Sequence, residues 1–225
     1  MLRVCGRWIR LVAVCAGVAG AGVGGAAPAW AQGSVPVPAA PGGPSEKTVA
    51  ALRAAHTALS EQARVATQAA AKADAEQLAG MASLLRGASR SMTVSVGLIA
   101  EQIRALKGEV PGAPGGPAPE IKGTKEALAQ LLSASTKLKD TDLPAWRREA
   151  EGEGQRGAVR VLRAAREAQI ELGRIYKDFG GAPETAGKSK RDVFVSRSCG
   201  YLVEKLDLQR CPVCSAGRDD FEKVN

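Results

Sequence analysis

The sequence predicts an all-α protein: four amphipathic helices packed as a bundle, followed by a small module built around cysteines. Three observations predict it. Only 4% of the 225 residues are aromatic, alanine is abundant and β-branched runs are few, so the chain favours helix over sheet. Between residues 46 and 180, apolar residues recur at three- and four-residue steps in four stretches, separated by a polar run at 72–77 and then by proline and glycine. After residue 192 the character changes, and Cys199, Cys211 and Cys214 fall within a short tail. The length suits one domain of ordinary size plus a small appendage.

Residues 1–31 read as a secretory signal peptide. Arg3, Arg7 and Arg10 form a basic start, residues 11–27 are small and apolar, and Ala29-Trp30-Ala31 offers a small-x-small cleavage site before Gln32. The same apolar stretch is nearly long enough to act as a retained membrane anchor. Lipidation at Cys15 is disfavoured by the bulk of Val14. Cleavage removes Cys5 and Cys15 and three arginines, lowers the net charge from +8 to +5, and leaves no stable membrane span. The expected location is therefore outside the cytoplasm, in the periplasm. The remaining positive charge is spread, without aromatic interleaving or a nucleic-acid motif, so it reads as solvated surface and no nucleic-acid partner is expected.

Residues 32–45 are rich in proline and glycine and have the composition of a mobile spacer, with Ser45 available to cap the first helix. That helix carries Val49, Leu52, His56, Leu59 and Ala63 on one stripe, and Lys72–Gln77 interrupts the pattern. The second carries Leu78, Met81, Leu85, Ala88, Met92, Ser95, Ile99 and Ile103, and stops near Gly108. Residues 110–119 hold too much proline and glycine for a regular element and form a long crossover. The third helix turns Leu128, Leu131, Ser135 and Leu138 inward and continues or resumes through Trp146 to Glu151, with a kink or break at Pro144. Gly152 and Gly154 mark a turn. The fourth puts Ala158, Leu162, Ala165, Gln169, Leu172, Tyr176 and Phe179 on one side. Four helices with one long connection between the second and third make the ferritin-like arrangement. Residues 181–192, with Lys188-Ser-Lys-Arg191, read as a polar linker whose charges serve solvation.

The tail, residues 193–225, holds an intact Cys-x-x-Cys at Cys211 and Cys214, and a partner loop with Cys199 and with Ser196 where a second cysteine would complete four soft ligands. Gly200, Tyr201, Pro212 and Phe221 fall in the register of the rubredoxin-like module of the rubrerythrins, which this stretch of about 30 residues resembles. Ser196 and Ser215, the latter in place of a glycine, are its departures. Thr124–Leu128, Leu143–Trp146, Glu153-Gly154, Ala158–Arg160, Glu167-Ala168 and Ile175–Lys177 look like the second half of a rubrerythrin bundle. Ala54-Ala55, Gln62–Arg64, Lys72–Asp74 and Leu84–Arg86 look more weakly like the first.

What the resemblance implies for the bundle is a di-iron site of carboxylates and two Glu-x-x-His pairs. Carried across residue by residue, those ligands land on Met92 and Ser95, on Gln169 and Leu172, on Ser135 and Leu138, and on Leu59, Ser60 or Glu61. At most one of these can ligate iron, and the sole histidine, His56, cannot serve two such pairs. Apolar and small residues would fill the space without the desolvation cost of unpaired carboxylates. No di-iron centre and no peroxidase activity are expected.

Chemistry is then expected only in the tail: one iron held by Cys199, Cys211 and Cys214, with Ser196 oxygen or water as fourth ligand, passing single electrons. Zinc in the same place, holding two loops together, is the alternative, as is a Cys211–Cys214 disulfide or a metal-free helical scaffold that binds a partner. A redox partner and a homodimer through the bundle are further expectations. No nucleophile elbow, phosphate loop or paired acid and base points to a hydrolase or transferase.

Overall fold

The computed structural model describes residues 45–117, 120–181 and 187–224. The stretch expected to be a signal peptide, with Cys5 and Cys15, the expected spacer before Ser45, and parts of the expected crossover and linker lie outside those residues. Among the described residues no helix is long and apolar enough to cross a membrane.

Helix α1 (Glu46–Ala75) and helix α2 (Ala79–Ala105) form a hairpin. The polar run Lys72–Gln77 does not end α1 where its charges begin. Ala69, Ala70 and Ala73 keep a buried face going, so the helix runs on to Ala75 and reverses over Glu76–Leu78 with Gln77 at φ 60°. The stripe of α1 is also wider than the spacing predicts, taking in Ala55, Gln62 and Ala66. In α2 every residue of the predicted stripe is buried.

Two helix ends are satisfied from far along the chain. The Ser45 hydroxyl makes no capping bond to α1. Instead the Glu153 carboxylate accepts the N–H groups of Lys47 and Thr48 at 3.1 and 2.8 Å. At α2, the carbonyl of Gly187 accepts the N–H groups of Gly80 and Met81, so the segment leading to the tail closes this helix end.

Helix α3 (Thr124–Lys137), a π-helical segment (Leu138–Asp142) and helix α4 (Leu143–Gly152) form one continuous rod. Pro144 has no N–H to return to the preceding turn. Widening that turn to the π form absorbs the defect without a break. Gly154, at φ +69°, makes the turn into helix α5 (Arg156–Gly180). The four rods share one apolar core that includes Leu52, Leu59, Leu85, Met92, Leu128, Leu138, Leu162 and Leu172.

The tail is a three-stranded antiparallel sheet, β1 (Val193–Ser196), β2 (Leu202–Val203) and β3 (Phe221–Val224), with β1 in the middle. Its strands alternate. Val193, Val195 and Leu202 join the core of the bundle, while Phe194, Val203 and Phe221 pack with the cysteines. Gly87 permits this seating, because a Cβ there would stand 2.3 Å from a Val193 methyl carbon. Arg191 is not simply solvated: its guanidinium lies 4.6 Å from the centre of the Phe179 ring and pairs with Glu204 at 3.2 Å.

His56 is buried on α1, and its Nδ1 has no hydrogen-bond partner among the described residues. Burial, and then the charge of Arg104, lower its pKa below the ordinary 6.5. The unfolded chain thus takes up this proton first as pH falls. The stability due to neutral His56 is complete above about pH 7 and declines through the window between 6.5 and the folded value. In urea unfolding, His56→Gln should therefore gain on the wild type between pH 8 and pH 5. An unchanged difference at the two pH values would refute this.

Candidate metal centre

Two tight turns build the site. After β1, Ser196 accepts the N–H of Gly200 on its carbonyl and donates its own N–H to the carbonyl of Tyr201, which brings Cys199 back over Ser196. Gly200 sits at φ +76°, in the left-handed region. In the second turn Cys211 N–H donates to Ala216 and Ser215 N–H to Cys211, and an antiparallel bridge between Arg210 and Gly217 closes the base. Ser215 adopts φ 61°, a conformation that costs a residue with a Cβ about 1 kcal/mol. It occupies the position where the resemblance has glycine.

The turns face one another. The sulfurs of Cys199, Cys211 and Cys214 all lie within 4.8 Å of one another, with Cys199 and Cys211 3.6 Å apart. Four donors at about 2.3 Å around a tetrahedral ion would stand about 3.8 Å apart, so the cluster has the size of a single metal site. Ser196 Oγ lies 3.3 Å from Cys199 Sγ and 3.8 Å from Cys214 Sγ, beside two of the three sulfurs. All four residues that the sequence singles out are thus brought together, and the donor set fits one metal ion. Among the described residues this is the one group of three or more Cys, His, Asp or Glu side chains close enough to share an ion.

The surroundings are asymmetric. Cys199, Cys211 and Ser196 are buried, whereas Cys214 is exposed. Burial pushes the Cys199 thiol up to about 12. Burial also acts to raise Cys214. There the N–H of Ala216 and the hydrogen bonds of the neighbouring thiols outweigh it, and the pKa falls below the ordinary thiol value. The exposed Cys214 sulfur therefore ionises before that of Cys199.

Three features were not singled out from sequence. Asp220 accepts the hydroxyl of Ser196 at 2.6 Å and both the hydroxyl and the N–H of Ser198, at 2.7 and 3.2 Å. Its burial works to raise its pKa, but those bonds and Arg197 hold it below the ordinary carboxylate range. Ser91 of α2 donates its hydroxyl to the carbonyl of Gly200, fastening the first turn to the bundle. A cleft of about 610 Å³ opens beside Cys199 and Cys214, walled by Leu98, Gln102, Arg160 and Arg163. Asp220 directly precedes Phe221, which the register had placed, and that adjacency was the available signal.

In the bundle, Met92, Ser95, Ser135, Leu138, Gln169, Leu172 and Leu59 are all buried. Ser135 donates to the Gln169 carbonyl at 2.8 Å and Ser95 to the Ser91 carbonyl at 3.2 Å, so both hydroxyls are satisfied by backbone. Ser60 is half-buried. Glu61 is exposed and pairs with Arg64 at 3.0 Å.

No family model matches the chain, and no curated protein matches it. Solved structures do. Nigerythrin in its fully reduced, all-ferrous state superposes with a TM-score of 0.71 at 21% identity, over 79% of this chain and 86% of that one. The partially reduced state gives 0.71 at 21%, and the mixed-valent state 0.70 at 20%, with the same coverage. The likeness is one of fold: this chain is a ferritin-like helical bundle carrying a rubredoxin-like module at its C-terminal end.

Proposed function

We propose that this is an exported, rubrerythrin-like protein that has no di-iron centre and binds one iron at the C-terminal module. Cys199, Cys211 and Cys214 are the ligands, with Ser196 as the fourth donor. The observation that carries the reading is the cluster of three sulfurs within 4.8 Å, with the Ser196 hydroxyl 3.3 Å from one of them. Iron in such a site supplies one-electron transfer between its ferric and ferrous states. The exposure of Cys214 supports exchange with a redox partner, since it brings one ligand to the protein surface.

For the bundle, the residues at the resembling ligand positions include no imidazole, and the one carboxylate in question, Glu61, is turned to solvent and paired with Arg64. Buried Met92, Leu138 and Leu172 offer iron no hard donor. Export rests on the pattern of residues 1–31 and is a proposal of the same standing.

One observation favours a second reading. Val193, Val195 and Leu202 are part of the bundle core, so a redox-inert zinc could serve to lock the two loops of a module that the bundle already holds.

Metal analysis and visible absorption of protein from an iron-replete host separate the two. The expected result is one iron per chain with thiolate-to-iron charge-transfer bands. A colourless protein with one zinc would establish the second reading, and three irons per chain would overturn the account of the bundle.

A further inference from the structure

Ser196 donates and accepts at once. Its hydroxyl proton goes to Asp220 Oδ2 at 2.6 Å, and its oxygen accepts from the thiol of Cys199 at 3.3 Å. The proton therefore points away from the sulfurs, and a lone pair points toward them. A hydroxyl free to rotate would have no reason to hold that orientation, since sulfur can also accept a weak hydrogen bond. Asp220 is in turn anchored by the hydroxyl and N–H of Ser198, and its own N–H donates to Gly217. It thus bridges the two metal-bearing turns while fixing one hydroxyl between them.

We propose that Asp220 is the positioning residue of the metal centre. By holding the Ser196 proton it converts a serine, otherwise a poor substitute for cysteine, into the fourth ligand. The inference rests on the reading of the three cysteines as a metal site. Carboxylates that orient a metal's ligands through a hydrogen bond are a general device, and their loss typically weakens binding 10- to 100-fold. Here the device has a particular purpose. Ser196 is fully buried, so water cannot readily take the corner if the hydroxyl turns away.

Cobalt(II) titration of the full, metal-free chain tests this, because the ligand-field bands report both coordination number and ligand type. The wild type should take up one cobalt with a tetrahedral spectrum. Asp220→Asn should bind about 10-fold more weakly with altered bands. Ser196→Ala should behave alike, and the double variant should be no worse than Ser196→Ala alone, because both changes remove one interaction. Ser196→Cys supplies a fourth thiolate that needs no orienting carboxylate, so Asp220→Asn should cost little in that background. Equal costs of Asp220→Asn with serine and with cysteine at 196 would mean that Asp220 merely braces the loops, and would overturn the proposal. So would unchanged cobalt binding by Asp220→Asn or Ser196→Ala, with the metal site itself left standing. Failure of the wild type to bind cobalt at all would remove the metal reading and this inference together.

Discussion

Alanine in place of Cys199 or Cys211 should weaken metal binding about 100-fold, and alanine in place of Cys214 should cost less. Structural zinc sites of four ligands are worth about 10–16 kcal/mol, so one ligand's share is about 3 kcal/mol, or about two powers of ten. Cys199 and Cys211 are each only 2% exposed and pack with Phe221, so truncating either leaves an apolar gap that water fills poorly. Cys214 is exposed and borders the cleft walled by Arg160 and Arg163, where water can occupy the lost corner. Competition against a chromophoric chelator measures all three affinities. Equal losses at the three positions would contradict this asymmetry, and wild-type affinity in Cys199→Ala would remove it from the ligand set.

Gly200→Ala should lower stability by about 3 kcal/mol. Its φ of +76° costs a residue with a Cβ about 1–2 kcal/mol. The added carbon would stand 2.6 Å from the Ser91 carbonyl oxygen and 3.1 Å from Ser95 Oγ, and relieving that overlap costs about 1–3 kcal/mol more. Moving the turn outward would also sacrifice the bond from Ser91 to Gly200. For a chain of this size the fall in Tm is about 6–12 °C. Gly97→Ala is the control: this glycine is exposed within α2 with no described residue near its missing Cβ, so alanine should be neutral or add up to about 1 kcal/mol. Equal melting temperatures for the two variants would show that the module is not seated on α2 as described.

Both expectations depend on the contact between module and bundle, which was the least legible part of the chain. The periodicity of α2 and α5 marks which residues are buried but not what covers them. Ser91, Gly87 and Gly80 sit in a helix where serine and glycine carry no helical advantage. Their role appears only once Gly200, Val193 and the Gly187 carbonyl are laid against them. Ser95 shows the same limit. The resemblance places it at a ligand position, and its small size also serves to admit the turn at Gly200. Pro144 was legible as a disturbance, but whether a helix breaks or widens depends on the packing of the turns on either side. Here Leu138 and Leu143 are both buried, and the rod stays whole.

Local order determined the rest. A three- and four-residue recurrence of apolar side chains is a property of neighbours along the chain, so the four helical rods, their buried stripes and the long crossover could be read directly. Cysteine spacing is equally local, and it located Cys199, Cys211, Cys214 and the serine standing in for a fourth. Hydrogen bonds and steric fits between distant segments are not local. Glu153 capping α1, Gly187 capping α2 and Asp220 holding the Ser196 proton each join residues about 20 to about 110 positions apart. Only folding brings such pairs within reach, and no periodicity records them, because one carboxylate or carbonyl satisfies a need that many sites on the surface could have met.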